Sequence, residues 1–384
     1  MKIISVVGAR PNYIKITPLS RAIKEFNKSS SGTIIEHLLV HTGQHYDARM
    51  SRNFFTDLDI PEADINLGIG SGTHAEQVGL TMIAFEKVIK THKPDWVVVV
   101  GDVNATLACS VTAKKEWVKC CHIEAGLRSG DLKMPEEINR LVTDRLSDLL
   151  FTTDKIANEN LIKEGVPLNK ICFVGNIMID TLELNRSKAE FLEPNSIIKN
   201  NLLRNQNISD IVNEKYALIT LHRPSNVDDK EILSQIIQFI TDTVASYLSV
   251  IWPIHPRTYK NIQQFGLIKQ IKSNYKIILT HPLGYHEMLR LNMGAKMMLT
   301  DSGGLQEECT ILGTPCLTLR WNTERPITLR QHGGVSVLVG NNIDSLRKEY
   351  KEALLRKREP FRPELWDGKT ASRIVNALVK YPIL

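Results

Sequence analysis

Short, continuous apolar runs recur along the 384 residues of this chain and alternate with segments of helical spacing, such as 131–146 and 230–244. In the first half, these runs are Ile3–Val7, His37–His41, Trp96–Val100, Cys120–Ile123, Leu149–Thr152 and Ile171–Val174. In the second half, they are Tyr216–Leu221, Val250–Ile254, Lys276–Leu279, Lys296–Thr300, Cys316–Leu319 and Val335–Val339. A run that is apolar throughout is typical of a strand buried on both faces of a parallel sheet. The alternation therefore predicts an α/β protein with two Rossmann-like, doubly wound parallel sheets.

Two domains are also expected from length, because a chain of 384 residues exceeds one ordinary hydrophobic core. The boundary is placed near residues 175–215, since the segment 185–213 is polar and poor in strand signals. We predict an N-terminal domain over 1–178 and a C-terminal domain over 179–367. A final helix, about 368–384, is expected to pack back on the first domain.

Composition limits the class of protein. The chain is 42% hydrophobic and 23% charged, which is globular, and no run approaches the roughly 20 apolar residues of a membrane span. The N-terminus reads as a first strand rather than a leader peptide. Six cysteines without a Cys-x-x-Cys pair indicate buried thiols in a reducing compartment, so we expect a cytoplasmic location and no metal site. The net charge of +6 is dispersed, which argues against a nucleic-acid partner.

Charged side chains gather after the strands of the first half, where α/β proteins bind ligands. Arg10 follows the first strand directly, and Lys15 lies in the helix that Pro11 starts. The planar guanidinium of an arginine suits a phosphate ligand, although an ordinary surface turn could contain the same residues. Asp102 follows the run Trp96–Val100, and from spacing alone it is equally a helix cap or a substrate-facing carboxylate.

The segments HIEAGLR, at 122–128, and PEEINR, at 135–140, follow the next strand. Glu124 ends that strand, and the alternative to a catalytic role is a structural salt bridge to Arg128. Glu136 and Arg140 are four residues apart and so share one helix face, where the alternative is an ordinary surface pair. This concentration of acids and arginines predicts proton-transfer chemistry on an anionic substrate.

In the second half, His222 follows the run Tyr216–Leu221 and His255 follows Val250–Ile254. A histidine here can contact phosphate or carry a proton near neutral pH, while the alternative is a loop that starts a helix.

A glycine-rich turn, Ser302–Gly304, follows the run Lys296–Thr300 and precedes a helix that contains Glu308. Backbone N–H groups at a helix N-terminus bind anions, and Glu308 is placed to accept hydrogen bonds from ribose hydroxyls. Together with Arg325, this pattern predicts a nucleotide site.

Taken together, these stretches resemble the non-hydrolysing UDP-N-acetylglucosamine 2-epimerases, from GARP at 8–11 to TERP at 323–326. HIEAGLR, PEEINR, SGGLQEE and TERP are specific in combination. The resemblance implies a GT-B-like fold with an interdomain active-site cleft, a homodimer and no cofactor. It also implies interconversion of UDP-GlcNAc and UDP-ManNAc through 2-acetamidoglucal and UDP, which supplies ManNAc units for surface polysaccharides.

The resemblance carries over to individual residues. The residues that match nucleotide-sugar contacts are Arg10, Lys15, His222, Ser302, Gly303, Gly304, Glu308 and Arg325, while Leu283 and Met288 fall in the uracil-side loop. Asp102, Glu124 and Glu136 match the essential carboxylates, and Arg140 and His222 are also implicated in activity. We favour Asp102 and Glu124 for proton transfer, supported by Glu136, and leave open which is base and which is acid.

Some members of this family need UDP-GlcNAc at a second, allosteric site. Gln44 and His45 resemble part of that site, and His255 is a further candidate for it. The loop 67–73, however, lacks the arginine of the family, so we predict no allosteric activation and a hyperbolic dependence of initial rate on UDP-GlcNAc.

Four alternatives stay open at this point. The protein could be a hydrolysing 2-epimerase that releases free ManNAc and UDP, or a 2-epimerase of a modified UDP-diacetamido sugar. A GT-B glycosyltransferase would need an acceptor but no base at C2. A non-catalytic nucleotide-sugar-binding module would have no reason to cluster Asp102, Glu124 and Glu136.

Overall fold

The computed structural model describes residues 1–8, 10–30, 32–43, 58–203 and 215–381, with the backbone but not the side chains of Arg10 and Pro11. The chain forms two compact units. The N-terminal unit comprises Met1–Leu184 with Pro363–Leu384, and the C-terminal unit comprises Asn185–Arg362. The first unit thus extends past the predicted limit of 178, and the returning segment starts before the predicted 368.

The N-terminal unit is built on a seven-stranded parallel sheet. Its strands are β1 (Lys2–Val7), β2 (Glu36–His41), β3 (Ile65–Asn66), β4 (Trp96–Val100), β5 (Lys119–Ala125), β6 (Leu149–Thr152) and β7 (Ile171–Phe173). Their spatial order is β3-β2-β1-β4-β5-β6-β7, so the winding direction reverses between β1 and β4. All six predicted apolar runs of this half lie in strands, whereas the two-residue β3 was not predicted.

Helices cover this sheet, and their bounds follow from local sequence signals. They are α1 (Arg10–Ser29), α2 (His74–His92), α3 (Asn104–Lys115), α4 (Pro135–Leu146), α5 (Lys155–Lys163) and α6 (Ile177–Glu190). Helix α2 begins with a capping box in which Thr73 accepts from the Glu76 amide and Glu76 accepts from the Thr73 amide. Helix α4 has proline at its first position, which suits an N–H that would lack a helical partner. Phe85 of α2 belongs to the same hydrophobic core cluster as Val97 and Val99 of β4.

The C-terminal unit repeats this architecture on a six-stranded parallel sheet. Its strands are β8 (Tyr216–Thr220), β9 (Ser249–Pro253), β10 (Ile277–Thr280), β11 (Met297–Thr300), β12 (Cys316–Thr318) and β13 (Ser336–Leu338). The order β10-β9-β8-β11-β12-β13 reverses between β8 and β11, which is where doubly wound sheets bind ligands. Its helices are α7 (Pro194–Asn201), α8 (Pro224–Val227), α9 (Lys230–Phe239), α10 (Ala245–Tyr247), α11 (Pro256–Gln264), α12 (Ile268–Ser273), α13 (Tyr285–Gly294), α14 (Gly303–Leu312) and α15 (Ile343–Leu355).

The last helix, α16 (Thr370–Lys380), belongs to the N-terminal unit. Asp180 of α6 accepts hydrogen bonds from the first amides of α16, those of Thr370 at 3.0 Å and Ala371 at 2.7 Å. The indole of Trp366, buried just before the helix, donates to the Thr153 carbonyl at 2.9 Å. A carboxylate at a helix N-terminus is stabilising, so these contacts hold the end of the chain on the first sheet.

All six cysteines are free thiols, and all are buried except Cys172, which is half-buried. Across the described ranges, none of the helices has both the length and the apolar character to cross a membrane.

Candidate active site

In the N-terminal unit, Glu124 lies at a bulge near the end of β5. Its backbone φ is +73°, and the register with β6 shifts between Ile123 and Ala125. A non-glycine residue in this region costs on the order of 1 kcal/mol or more, and such strain is typical of functional sites. The Glu124 side chain is buried, and its Oε2 lies 2.5 Å from the Nζ of Lys15, which is also buried. The predicted alternative, a salt bridge from Glu124 to Arg128, is wrong.

Gly101 brings the loop after β4 onto this pair. Its φ is +67°, and a Cβ there would lie 3.1 Å from Lys15 Nζ and 3.7 Å from Glu124 Oε2. Asn12 of α1 closes the other side, donating to the Val100 carbonyl at 2.9 Å. A buried ion pair is stable only with close geometry, which the 2.5 Å separation of Lys15 Nζ and Glu124 Oε2 provides.

A second carboxylate–cation pair joins Asp102 to Arg140. Arg140 Nη1 lies 2.5 Å from Asp102 Oδ2, and the Asp102 side chain is 29% exposed. Helix α3 begins after Val103, which makes no side-chain cap bond. The interpretation of Asp102 as a helix cap is therefore wrong, because its carboxylate is turned to Arg140.

Arg140 is itself buried, and its main partner is Glu137 rather than Glu136. Glu137 Oε2 accepts from Arg140 Nη2 at 2.5 Å and from Nε at 2.9 Å, whereas Glu136 is exposed. Burial alone would raise the pKa of Glu137, but hydrogen bonds from the Ser129 amide, Arg140 and the Gly130 amide lower it. The alternative of a surface pair between Glu136 and Arg140 is wrong because Glu137, three positions before Arg140, lies on the buried side of α4 and pairs with it. We call Lys15, Asp102, Glu124, Glu137 and Arg140 the carboxylate cluster.

A buried His122–Asp144 pair supports the loops after β4 and β5, which hold the carboxylate cluster. His122 Nδ1 lies 2.6 Å from Asp144 Oδ1, and Nε2 lies 2.8 Å from the Gly101 carbonyl oxygen. Asp144 Oδ2 accepts from the Gly126 amide at 3.0 Å and lies 2.7 Å from Arg128 Nη1. Burial would raise the pKa of Asp144, but His122, Arg128 and the Gly126 amide together lower it. Sequence reasoning missed these two residues; the only signal was a histidine within an apolar strand.

Arg128 completes this support from the surface side, donating to Glu164 through Nε at 2.7 Å and Nη2 at 2.8 Å. Arg128 is thus a structural partner of Asp144 and Glu164 rather than of Glu124.

In the C-terminal unit, Ser302 precedes α14 with an extended backbone and makes no side-chain cap bond. The first amides of a helix lack intrahelical partners and form an anion-binding end. A Cβ at Gly303 would lie 2.8 Å from both Arg325 Nη1 and Glu324 Oε1, so glycine lets these two side-chain ends approach the turn. The turn Ser302–Gly304 is called the glycine turn below.

Arg325 is buried beside the glycine turn in a network of charges. Its Nε lies 2.8 Å from Glu307 Oε1, and its Nη1 pairs with Glu324. Arg320 pairs with Glu324 at 2.6 Å on the other side. Burial would raise the pKa of Glu324, but Arg325 and Arg320 hold it well below its usual range. The guanidinium of Arg325 is thus fixed in direction by two carboxylates.

The remaining predicted residues of this unit lie near the same sheet edge or pack below it. Leu283 and Met288 are half-buried against the core cluster that contains Leu218 and Met298. His222 and His255 stand after β8 and β9, with ring centroids 5.6 Å apart.

Three predicted positions lie outside what the structure describes. Gln44 and His45 are outside the described residues, as is the side chain of Arg10. Within the described ranges, no group of three or more His, Cys, Asp or Glu side chains is arranged to hold a metal ion.

Glu308 of α14 gives the first testable prediction. Burial raises the pKa of Glu308 to about 7, opposed in part by Tyr285. The folded protein therefore keeps a proton that the unfolded chain releases above its ordinary pKa of 4.5. The free energy of unfolding should then fall as pH rises from about 4.5 to about 7, by up to ~3 kcal/mol.

Glu308→Gln should remove that dependence, so that the variant becomes the more stable protein above pH 7. Urea unfolding at pH 5 and pH 8 measures the effect. The exposed Glu231→Gln is the matched control and should follow the wild type. Parallel profiles for wild type and Glu308→Gln would contradict the prediction.

The chain is similar to several proteins of known family. A sequence profile described as UDP-N-acetylglucosamine 2-epimerase matches residues 27–379. The UDP-N-acetylglucosamine 2-epimerase of Methanocaldococcus jannaschii is 43% identical over 379 residues, covering 98% of this chain and 99% of that protein. The UDP-2,3-diacetamido-2,3-dideoxy-D-glucuronate 2-epimerase of Pseudomonas aeruginosa is 36% identical, covering 99% of this chain and 100% of that protein.

A crystal structure of Methanocaldococcus jannaschii UDP-GlcNAc 2-epimerase in complex with UDP-GlcNAc and UDP is similar in fold. It superposes with a TM-score of 0.87 at 42% identity, covering 99% of this chain and 100% of that one. The predicted fold class, two Rossmann-like parallel-sheet units of the GT-B type, is confirmed. The chain belongs to the UDP-N-acetylglucosamine 2-epimerase family.

Proposed function

We propose that this protein interconverts UDP-GlcNAc and UDP-ManNAc at C2 and keeps UDP and the sugar together in its products. The observation that carries the proposal is the buried Glu124–Lys15 pair at a strained bulge, beside the pair of Asp102 with Arg140. The relative of known structure that was solved with UDP-GlcNAc and UDP supports the choice of substrate.

The chemistry explains why carboxylates are needed. The C2 proton of the sugar is not next to a carbonyl, so its removal must be coupled to the loss of a leaving group. In the proposed first step a carboxylate takes the C2 proton, the C–H electron pair forms a C1=C2 double bond, and the bond from C1 to the UDP oxygen breaks. The products of this step are 2-acetamidoglucal and UDP, and no water is consumed.

In the return step a protonated group delivers a proton to C2 on the opposite face, and a UDP oxygen forms the bond to C1. Asp102 and Glu124 are the proposed proton carriers, with Glu136 supporting. Glu124 is almost fully buried while the Asp102 side chain is 29% exposed, so the two carboxyl groups have different environments suited to two roles.

UDP leaves as an anion and must be held for re-addition. Preorganised donors aimed at developing charge are the usual means of stabilising such a leaving group. We assign this work to the C-terminal unit, with the glycine turn and Arg325 nearest to the diphosphate. Further proposed contacts are Arg10 and His222 to phosphate, Glu308 to ribose, and Leu283 and Met288 to uracil.

The diacetamido sugar of the Pseudomonas aeruginosa relative is a second candidate substrate, because that relative is 36% identical over the full chain. The charges of the carboxylate cluster favour UDP-GlcNAc, whose sugar is neutral. The carboxylate cluster contains three acids and two bases, and within it Lys15 and Arg140 are each already paired with a carboxylate. A uronic acid would bring another negative charge to a cluster that offers it no unmatched cation among these five side chains.

Product analysis tests the proposal. The protein is incubated separately with UDP-GlcNAc, UDP-ManNAc and the UDP-diacetamido-glucuronate, and products are separated by ion-exchange chromatography. We expect one mixture of UDP-GlcNAc and UDP-ManNAc from either of the first two. Free ManNAc with UDP would identify a hydrolysing enzyme, and turnover of the uronate alone would identify the second candidate. UDP-sugar binding without turnover would leave a transferase or a binding module.

Four other expectations stay predictions. The family resemblance implies a homodimer and supply of ManNAc units to surface polysaccharide. The cytoplasmic location is expected from the cysteines, and the absence of allosteric activation through Gln44, His45 and His255 from the missing arginine in the loop 67–73.

A further inference from the structure

We propose that Asp301 is a positioning residue that fixes the proton on Nδ1 of His222, so that Nε2 is the nitrogen presented to a bound diphosphate, while His255 stays uncharged beside it. The inference rests on the proposed function in taking UDP as the ligand. It assigns roles to Asp301 and His255 that follow from their contacts within the C-terminal unit.

Asp301 is fully buried at the end of β11 and is surrounded by donors. Its Oδ2 accepts from the amides of His222 at 3.0 Å and Arg223 at 2.9 Å, and from Asn226 Nδ2 at 3.1 Å. The His222 amide also donates, at the longer distance of 3.2 Å, to Oδ1. Its Oδ1 lies 2.8 Å from His222 Nδ1. Burial would raise the pKa of Asp301, but His222 and the two backbone amides lower it. The carboxyl group is therefore an ionised acceptor.

An ionised carboxylate can only accept, so the hydrogen between Asp301 and His222 must lie on Nδ1 of the ring. In the neutral ring Nε2 is then the basic nitrogen, and in the charged ring it is a second donor. The His222 side chain is 43% exposed, so part of the ring is accessible to a ligand. Carboxylates orient catalytic histidines in this way in hydrolases, where they also stabilise the imidazolium.

His255 is held in the opposite tautomer. Its Nδ1 accepts from the Arg257 amide at 3.2 Å at the N-terminus of α11, so Nδ1 carries no hydrogen there. Burial lowers the pKa of His255, as do the neighbouring His222 and Arg257, whereas Asp301 raises it. The ring of His255 is thus kept neutral, so it adds no positive charge beside His222.

Asp301→Asn tests this arrangement because the asparagine side chain has one oxygen and one NH2 group in place of the two carboxylate oxygens. Its oxygen is needed at the Oδ2 position, where three N–H groups already donate. Its NH2 group then occupies the Oδ1 position and donates to His222 Nδ1, which moves the ring proton to Nε2. We expect the loop to keep its shape while His222 changes tautomer.

The first readout is nitrogen-15 NMR of the whole protein labelled in histidine, with the His222 signals assigned by their loss in His222→Asn. We expect an Nδ1–H ring in the wild type and an Nε2–H ring in Asp301→Asn. An Nε2–H ring in the wild type would overturn the proposal, and this measurement needs no variant of Asp301 to fold.

The second readout separates binding from turnover. For Asp301→Asn we expect kcat to fall by on the order of 10²-fold or more, as for a mis-oriented catalytic histidine, and UDP affinity to fall by less than about 10-fold. The double variant with His222→Asn should be no slower than His222→Asn alone. Asp228→Asn, which alters the exposed partner of Arg257, is the matched control and should leave both values unchanged.

Additive losses in the double variant would show that Asp301 acts on the fold instead of through His222. A UDP titration and the NMR spectra do not depend on epimerisation. If the protein failed to interconvert the UDP-sugars but gave the expected tautomers and UDP binding, the proposed function would fail and this inference would stand.

Discussion

Glu124→Gln is expected to abolish exchange of the C2 proton while UDP binding stays close to that of the wild type. Glutamine keeps the length and shape of the side chain but cannot take up a proton in this step. General acid–base groups typically contribute about 10²- to 10⁴-fold, and the loss should appear in kcat. UDP binding should persist, because the glycine turn and the network around Arg325 belong to the C-terminal unit.

Deuterium uptake from solvent at C2, followed by proton NMR, measures the exchange, and calorimetry with UDP measures binding. The change leaves Lys15 without its carboxylate partner, so thermal unfolding must be recorded for the variant. Glu164→Gln, at the exposed end of the Arg128 pair, is the matched control and should exchange normally. Normal turnover by Glu124→Gln would show that the site is assigned to the wrong carboxylate.

Arg140→Met is expected to reduce both stability and activity. Arg140 joins the buried Glu137 to Asp102, so its loss leaves one carboxylate buried without its cation and frees the other to move. Breaking a buried ion pair by removing one partner costs about 3–5 kcal/mol. Misplacement of Asp102 should lower kcat by about 10²-fold, because small displacements of reacting groups have effects of that size.

Urea unfolding and steady-state kinetics of Arg140→Met measure the two effects separately. Arg140→Lys keeps the charge but lacks the planar fork, so it should recover part of the stability and little of the kcat. Arg145→Met alters an exposed arginine of the same helix and is the matched control, with little change expected in either value. Stability and kcat equal to those of the wild type would contradict the role given to Arg140.

The fold could be predicted because its signal is local. Strands such as β4, with five consecutive buried valine or tryptophan residues, are apolar at every position and therefore read as buried parallel strands. The short β3 could not be found, because two residues do not make a pattern. The positions of Asp102 after β4 and of Glu124 near the end of β5 followed from the same logic.

The partners of the site residues could not be predicted, because they depend on contacts between distant parts of the chain. Lys15 and Glu124 are 109 residues apart, and His122 and Asp144 are 22 apart. The choice between Glu136 and Glu137 depends on which side of α4 faces the sheet, and the helical spacing of the two glutamates to Arg140 allows either. The positive φ of Glu124 has no sequence signature, since that conformation normally favours glycine.

Incubation of the protein with UDP-GlcNAc in deuterated water tests the central claim most directly. Elimination and re-addition of UDP must exchange the C2 proton with a group that equilibrates with solvent. We predict intact UDP-ManNAc with deuterium at C2, detected by mass spectrometry and by loss of the C2 proton signal. UDP-ManNAc that keeps its original C2 proton, or free ManNAc as the only product, would contradict the account.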